Sequence, residues 1–300
     1  MISIFANFNI DSEERLLRMM DSFQSFSGAE IINWVINVRG KFKKDAKLFL
    51  TEQLKDKDLF IDTLESSNGW FHDSRKLLHR VKGNYVFLWI EDHININGVE
   101  NFNNVIRDVK NNNIDYLMYS MHYSGENLKT LNNLNPIEEK NIIYLDYTVE
   151  KHNDRLKYIE ECGYYVPVSI ISLLGVFKID LFKKIINFND PFFKRWNKKL
   201  PFDFEKNQFD THWLPYRCAF PRKEFFASID DSQGSEKNPS LIDRGLYPNR
   251  VSTQLDNKNL KNLSSLKYIG CYIKIISKIR LKLIEFGNHI ARKIMINKIK

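Results

Sequence analysis

The densest chemistry in this 300-residue sequence sits where an apolar run ends in two carboxylates and an imidazole, Phe87-Leu88-Trp89-Ile90-Glu91-Asp92-His93. A short run of this kind reads as a buried strand, and the side chains that follow it leave a rigid edge for a cleft. Two acids and a histidine suit a divalent cation, Mn2+ or Mg2+, and an imidazole among the ligands leans the preference toward manganese. One reaction that such an ion can serve is the departure of a nucleoside diphosphate from a transferred group. By bridging two phosphates it neutralises the charge that grows on the leaving group. In extended chain, residues 91 and 93 share one face and 92 takes the other, so Glu91 and His93 are expected to face the ligand together. A solvated acidic loop is the plainer reading of the same three residues.

The elements around this point must hold it in place. Residues 2–8 are short, apolar and β-prone, and Asp11 and Ser12 then precede a run with Leu16, Leu17, Met20 and Phe23 at helical spacing. Residues 31–38 and 43–54 repeat strand and helix. An apolar segment at 59–64, a Ser66-Ser67-Asn68-Gly69 loop and a helix over 72–81 follow, and Lys82-Gly83-Asn84 turns into the strand at 85–90. Alternation of this sort predicts an α/β fold with a mixed, mainly parallel sheet flanked by helices, because parallel strands need crossovers and the crossovers cover the sheet. Ligands in such sheets bind beyond the carboxyl ends of the strands. Asn7 and Asn9 after the first strand, Asn37 and Arg39 after the second, and residues 91–93 are therefore the polar groups to read. No Gly-rich phosphate loop stands at any of these places, which argues against a P-loop or dinucleotide fold. Further strands are expected at 115–119 and 166–177 and a helix at 180–186, while 201–250 reads as irregular, aromatic and charged.

Net charge is +8, and its location matters more than its size. Residues 257–300 carry 11 Lys or Arg against the single acid Glu285, and residues 1–256 carry 34 basic and 36 acidic side chains. A near-neutral body with a basic tail does not read as a nucleic-acid binder, and no nucleic acid partner is expected. Cys162, Cys218 and Cys271 are far apart and odd in number, which fits a reducing cytoplasm better than a disulfide framework. Neither a signal-peptide pattern nor an uninterrupted apolar stretch of about 18 residues is visible.

The order of elements resembles the family-two inverting glycosyltransferases of the glycosyltransferase A fold. Ser3-Ile4-Phe5-Ala6-Asn7-Phe8-Asn9, with Glu13, Leu16, Leu17 and Ser22 beyond, is similar to their first strand, loop and helix, which cradle base and ribose. Residues 69–75 followed by Val81-Lys82-Gly83-Asn84-Tyr85-Val86 look like their helix of donor contacts, Arg75 included, running into the strand that delivers the acidic motif. Glu91-Asp92-His93 falls where those enzymes carry Asp-x-Asp, with His93 replacing the final Asp as in the Asp-x-His version of related transferases. The acidic loop usual after the second strand is represented only by Asn37-Val38-Arg39-Gly40. The resemblance covers residues 2–125 and thins toward 250. It implies a donor half at 1–125 and an acceptor half at 126–255 of one catalytic domain, a nucleotide-sugar donor, a glycan or lipid-linked acceptor, and a role in bacterial surface polysaccharide.

An inverting transfer needs a carboxylate to take the acceptor's proton. The family places that acid after the strand that Ile171-Ser172-Leu173-Leu174-Gly175-Val176-Phe177 resembles. Asp210, in Phe209-Asp210-Thr211-His212-Trp213, is the candidate, Glu205 the second and Asp230-Asp231 the third. Asp210 and Glu205 read equally as acids at a helix N-terminus, and Asp230-Asp231 as an ordinary turn. Arg244 and Arg250 are candidate cations for the diphosphate, or a solvated surface pair. Within the tail at 256–300, Lys267, Lys274, Lys278 and Lys282 line one side of a helical wheel and Ile269, Ile273, Ile276 and Leu283 the other. That amphipathic pattern suits a helix lying on the inner face of the cell membrane, and also a helix packed on protein. Two rivals share parts of this reading: a sugar nucleotidyltransferase, whose glycine- and arginine-rich opening loop is missing here, and a noncatalytic membrane or nucleic-acid binding protein.

Overall fold

A computed structural model describes residues 1–119, 134–162, 175–188, 213–230 and 239–247. Four parallel strands come first: β1 (Ile2–Asn9), β2 (Ile31–Arg39), β3 (Leu59–Asp62) and β4 (Tyr85–Leu88). Helices α1 (Glu13–Phe26), α2 (Lys43–Gln53) and α3 (Trp70–Leu77) make the crossovers, the last continued by a 3-10 turn at Leu78–Arg80. After β5 (His93–Asn95) come α4 (Gly98–Asn111), β6 (Tyr116–Leu117), β7 (Ile137–Glu138), β8 (Ile142–Tyr147) and α5 (Val149–Cys162). The described chain ends with β9 (Gly175–Lys178), α6 (Ile179–Asn187), β10 (Tyr216–Pro221) and β11 (Phe226–Ser228).

Nine of these strands form one sheet in the order β3-β2-β1-β4-β9-β6-β10-β8-β7, and β5 pairs with β11 beside it. The expected α/β sheet flanked by helices is observed. Its parallel part is β3 to β4 together with the β6 and β10 pair, and β9, β8 and β7 join antiparallel. Strand alternation divides the core into two layers. Ile4, Ala6 and Phe8 of β1 and Phe87 of β4 pack with Phe23 and Phe26 of α1, Leu50 of α2 and Phe102 of α4. Phe5, Val86 and Leu88 point the other way, onto Trp70 and Phe71 of α3 and Phe182 and Ile185 of α6. Helix α1 starts where Ser12 accepts from the Arg15 amide at 3.2 Å with Glu13 and Glu14 in its first turn, a cap matched to the dipole.

The Lys82-Gly83-Asn84 turn needs its glycine for space. A Cβ there would lie 2.7 Å from both the backbone nitrogen and the Oγ of Ser3, the very oxygen that accepts from the Gly83 amide at 2.7 Å. That approach sets β4 beside β1 and so sets the height at which residues 91–93 emerge.

The structure departs from the sequence reading at two places. The strand expected at 85–90 leaves the sheet ladder after Leu88, and residues 91 and 92 form a turn. Residues 216–221 and 226–228, within the stretch read as irregular, are strands. Their reason is long-range pairing, β10 with β6 and β8 and β11 with β5, which no local pattern announces. Of the strand expected over 166–177, only the end is described, as β9. Among the described residues no helix is long and apolar enough to cross a membrane.

Candidate active site

From β1 the sheet runs through β2 to β3 on one side and through β4 on the other. The strand order therefore reverses between β1 and β4, and in open α/β sheets ligands bind in the crevice outside the carboxyl ends at such a point. Residues from four elements meet at that edge.

On the β2 side lies a buried lattice. Asn7 Oδ1 accepts from Asn37 Nδ2 at 2.9 Å and from Arg39 Nε at 3.1 Å. Asn7 Nδ2 donates to the Trp70 carbonyl at 3.1 Å and to Ser74 Oγ at 2.9 Å. Asn37 closes the loop after β3, with its Oδ1 2.7 Å from the Leu64 amide and its Nδ2 2.9 Å from the Leu64 carbonyl. The two amides thus tie β1, β2 and α3 into one frame. Gly40, at φ +90°, lets the chain turn directly after Arg39, and a Cβ there would lie 2.5 Å from the Ile10 carbonyl oxygen. Arg39 itself is only 6% exposed. Burial lowers its hold on its proton, and Asp73, Glu65 and Glu91 are near enough to oppose that. Asn9 is half-buried, its amide 3.4 Å from Asp11 Oδ2.

On the β4 side stands the acidic turn. Trp89 Nε1 donates to Ser22 Oγ at 2.9 Å, and Ser22 Oγ donates to the His93 carbonyl, so one hydroxyl of α1 holds both ends of the turn. The Ile229 amide donates to the Asp92 carbonyl at 2.8 Å, and Ser228 lies opposite His93 in the β11–β5 ladder. Glu91 is buried and receives Arg15 Nη1 at 2.8 Å across the crevice from the first turn of α1. Burial, and then the neighbouring Asp92 charge, push the Glu91 carboxyl up to about 7. Asp92 keeps 30% of its side chain exposed and accepts His93 Nδ1 at 2.7 Å. Burial alone would raise its pKa, but His93 and then Arg15 hold it below the ordinary carboxylate value.

His93 corrects the expected geometry. The expectation that Glu91 and His93 share one face rested on extended chain, and residues 91 and 92 form a turn instead. The imidazole lies edge-on to Tyr119, ring centroids 5.9 Å apart, with its Nε2 buried and without a hydrogen-bond partner. Tyr119 spends its hydroxyl on the Leu88 carbonyl at 3.2 Å, and burial raises its pKa well above the usual phenol value. Among the described residues no group of three His, Cys, Asp or Glu is arranged to hold a metal ion. The three-ligand set Glu91, Asp92, His93 does not fit such a site. One partly exposed carboxylate, Asp92, does suit a divalent ion that takes its other ligands from phosphates and water.

The structure draws two other expected cations elsewhere. Arg75 donates to the carbonyls of Ile186 at 2.8 Å and Phe188 at 3.1 Å, satisfying the carboxyl end of α6. Arg244 makes a two-pronged pair with Glu224, both contacts at 2.6 Å. Asp230, the third acid considered, receives Arg18 Nη1 at 2.5 Å. Asp210, Glu205, Asp231 and Arg250 lie outside the described residues. Sequence reasoning missed Arg15, and named Ser22 only within the resemblance. Arg15 carried a signal, as the basic residue in the first turn of the helix that follows β1.

No family model matches the chain, and no curated protein matches it. Solved structures do. TarS from S. aureus is 13% identical with a TM-score of 0.46 over 75% of this chain and 36% of that one. TarS 1-349 in complex with UDP-GlcNAc is 14% identical with a TM-score of 0.45 over 75% of this chain and 57% of that one. The mannosyltransferase PcManGT from Pyrobaculum calidifontis, in complex with GDP-Man and Mn2+, is 11% identical with a TM-score of 0.45 over 78% of this chain and 58% of that one. The chain spans less than two thirds of the length of each.

Proposed function

We propose that the chain is a glycosyltransferase that draws a sugar from a nucleotide-diphosphate sugar bound beyond β1, β2 and β4. The observation that carries this reading is the acidic turn at the β1/β4 crevice, where a partly exposed Asp92 follows the Glu91 that pairs with Arg15, with buried Arg39 on the end of β2. A diphosphate needs opposing positive charge close to a fixed backbone, and this edge supplies both. Asn7 and Asn37 act as the frame that fixes Arg39, and Asn9 and Arg15 border the crevice. Asp92 would hold a divalent ion, Mn2+ or Mg2+, which when bound acts as a Lewis acid on the leaving phosphates. Arg15 is shared between Glu91 and the mouth of the crevice, and its guanidinium steers the anionic donor and screens Asp92 and Glu91 from it.

The acceptor, a glycan or lipid-linked sugar, is assigned to residues 126–255, with Asp210 as the base that accepts its hydroxyl proton in an inverting attack and Glu205 as the second candidate. The basic tail at 256–300 is assigned to the inner membrane surface, where a lipid-linked acceptor would present itself.

The test is thermal unfolding in the presence of UDP or GDP, with and without Mn2+. Midpoints are expected to rise with nucleotide and metal together, by the linkage of binding to folding, and Asp92→Asn is expected to lose that rise. Identical shifts in the native chain and Asp92→Asn, or none in either with any nucleoside diphosphate, would remove the reading.

A further inference from the structure

His93 stands where a metal-binding imidazole was expected, yet all but one of its polar atoms are turned to another purpose. Its Nδ1 meets Asp92 Oδ1 at 2.7 Å. Its carbonyl takes the Ser22 hydroxyl, its amide lies 3.4 Å from the Ile90 carbonyl, and its backbone pairs with Ser228. The remaining ring nitrogen, Nε2, is buried without a partner next to the Tyr119 ring. To reach an ion in the crevice the imidazole would have to leave Asp92 and turn out of a packed pocket whose backbone is held at three points.

A carboxylate only accepts, so Nδ1 must be the donor and the ring's proton belongs there. Placing it on Nε2 instead would leave two acceptors facing each other at 2.7 Å and a buried N–H with nothing to receive it. Asp92 gains from this bond what a free surface carboxylate lacks: one oxygen is fixed while the side chain stays 30% exposed.

We propose that His93 is a positioning residue that orients the Asp92 carboxylate through its Nδ1–H and does not itself ligate the metal. The role of Asp92 rests on the glycosyltransferase reading; the His93–Asp92 bond does not. Outer partners that orient a ligating carboxylate are as consequential as ligands, commonly about 10- to 100-fold in metal affinity.

Two amide replacements separate the roles. Asparagine places an N–H close to the position of Nδ1, and glutamine places one close to Nε2. Mn2+ affinity in the presence of UDP or GDP, measured by electron paramagnetic resonance, is expected to stay near the native value in His93→Asn and to fall about 10- to 100-fold in His93→Gln and His93→Ala. Retention in glutamine with loss in asparagine would overturn the proposal. Because a variant can fail to fold, the native chain carries a second measurement, the imidazole 15N spectrum without metal or nucleotide. A proton on Nδ1 of His93 supports the positioning role, and a proton on Nε2 alone overturns it. Should the native chain bind no metal–nucleotide complex, the glycosyltransferase reading falls while the 15N spectrum still decides what His93 does.

Discussion

Glu91 shows how one side chain can be held in an uncomfortable state for a purpose. It is buried beside Asp92, and the only cation bonded to its carboxylate among the described residues is Arg15, itself 44% exposed. Burial and the Asp92 charge raise its pKa from 4.5 to about 7, so the folded chain holds this proton more tightly than the unfolded chain does. The stabilisation that results is complete below about pH 4.5 and is lost as pH rises through about 7, at a rate of at most about 1.4 kcal/mol per pH unit. Glu91→Gln removes the titrating group. In urea unfolding of the metal-free protein, the native chain is expected to lose stability across that window relative to Glu91→Gln and to be the less stable of the two above pH 7. Parallel stability curves for the two proteins would show that Arg15 already compensates the buried charge in full.

At the scale of elements, the acidic turn depends on a strand that arrives from far along the chain. Helix α1 contributes Arg18, a buried guanidinium that faces Glu14 within its own helix and Asp230 just after β11. Ile229, the neighbour of Asp230, donates its amide to the Asp92 carbonyl. Arg18→Ala would leave Glu14 and Asp230 facing each other with no cation between them. Because both carboxylates retain some exposure, a cost of about 2 kcal/mol is expected, below the figure for a fully buried pair. The same variant is expected to weaken nucleoside-diphosphate binding, whereas Arg217→Ala, which loses an exposed pair with Asp146, should leave it unchanged. Equal effects from both would sever the link between α1 and the turn. This dependence also explains what the sequence disclosed. Strands β1 to β4 were legible because each is an apolar run closed by a polar residue or opened by a turn such as Lys82-Gly83-Asn84, all local signals. The acidic motif was legible as composition and position. Its orientation was not, since the bend at Glu91 and Asp92 exists to let His93 pair with Ser228, and Glu91 finds its partner 76 residues away. The partners of Arg75 and Arg244 were not legible for the same reason: an arginine's partner, a carbonyl of α6 or the carboxylate of Glu224, is a tertiary fact.

For the whole molecule the decisive asymmetry is charge. Residues 1–256 hold 34 basic and 36 acidic side chains, while 257–300 hold 11 basic and one acidic. The proposed donor crevice draws on residues of β1, β2, α1 and the turn before β5, whereas attraction to an anionic lipid surface would draw on the tail. The two functions should therefore separate on truncation. Removing residues 257–300 is expected to leave the metal- and nucleotide-dependent thermal shift unchanged while abolishing sedimentation with vesicles containing phosphatidylglycerol. Each lysine near such a surface contributes about 1 kcal/mol, and the interaction is screened by salt, so binding of the intact chain should fall steeply between 50 mM and 500 mM NaCl, over which the Debye length contracts roughly threefold. If the truncated chain instead loses its nucleotide response, the tail belongs to the catalytic body and the division at 255 is wrong. If the intact chain ignores anionic vesicles at low salt, the amphipathic pattern serves protein packing, and the acceptor must reach the crevice without help from the membrane.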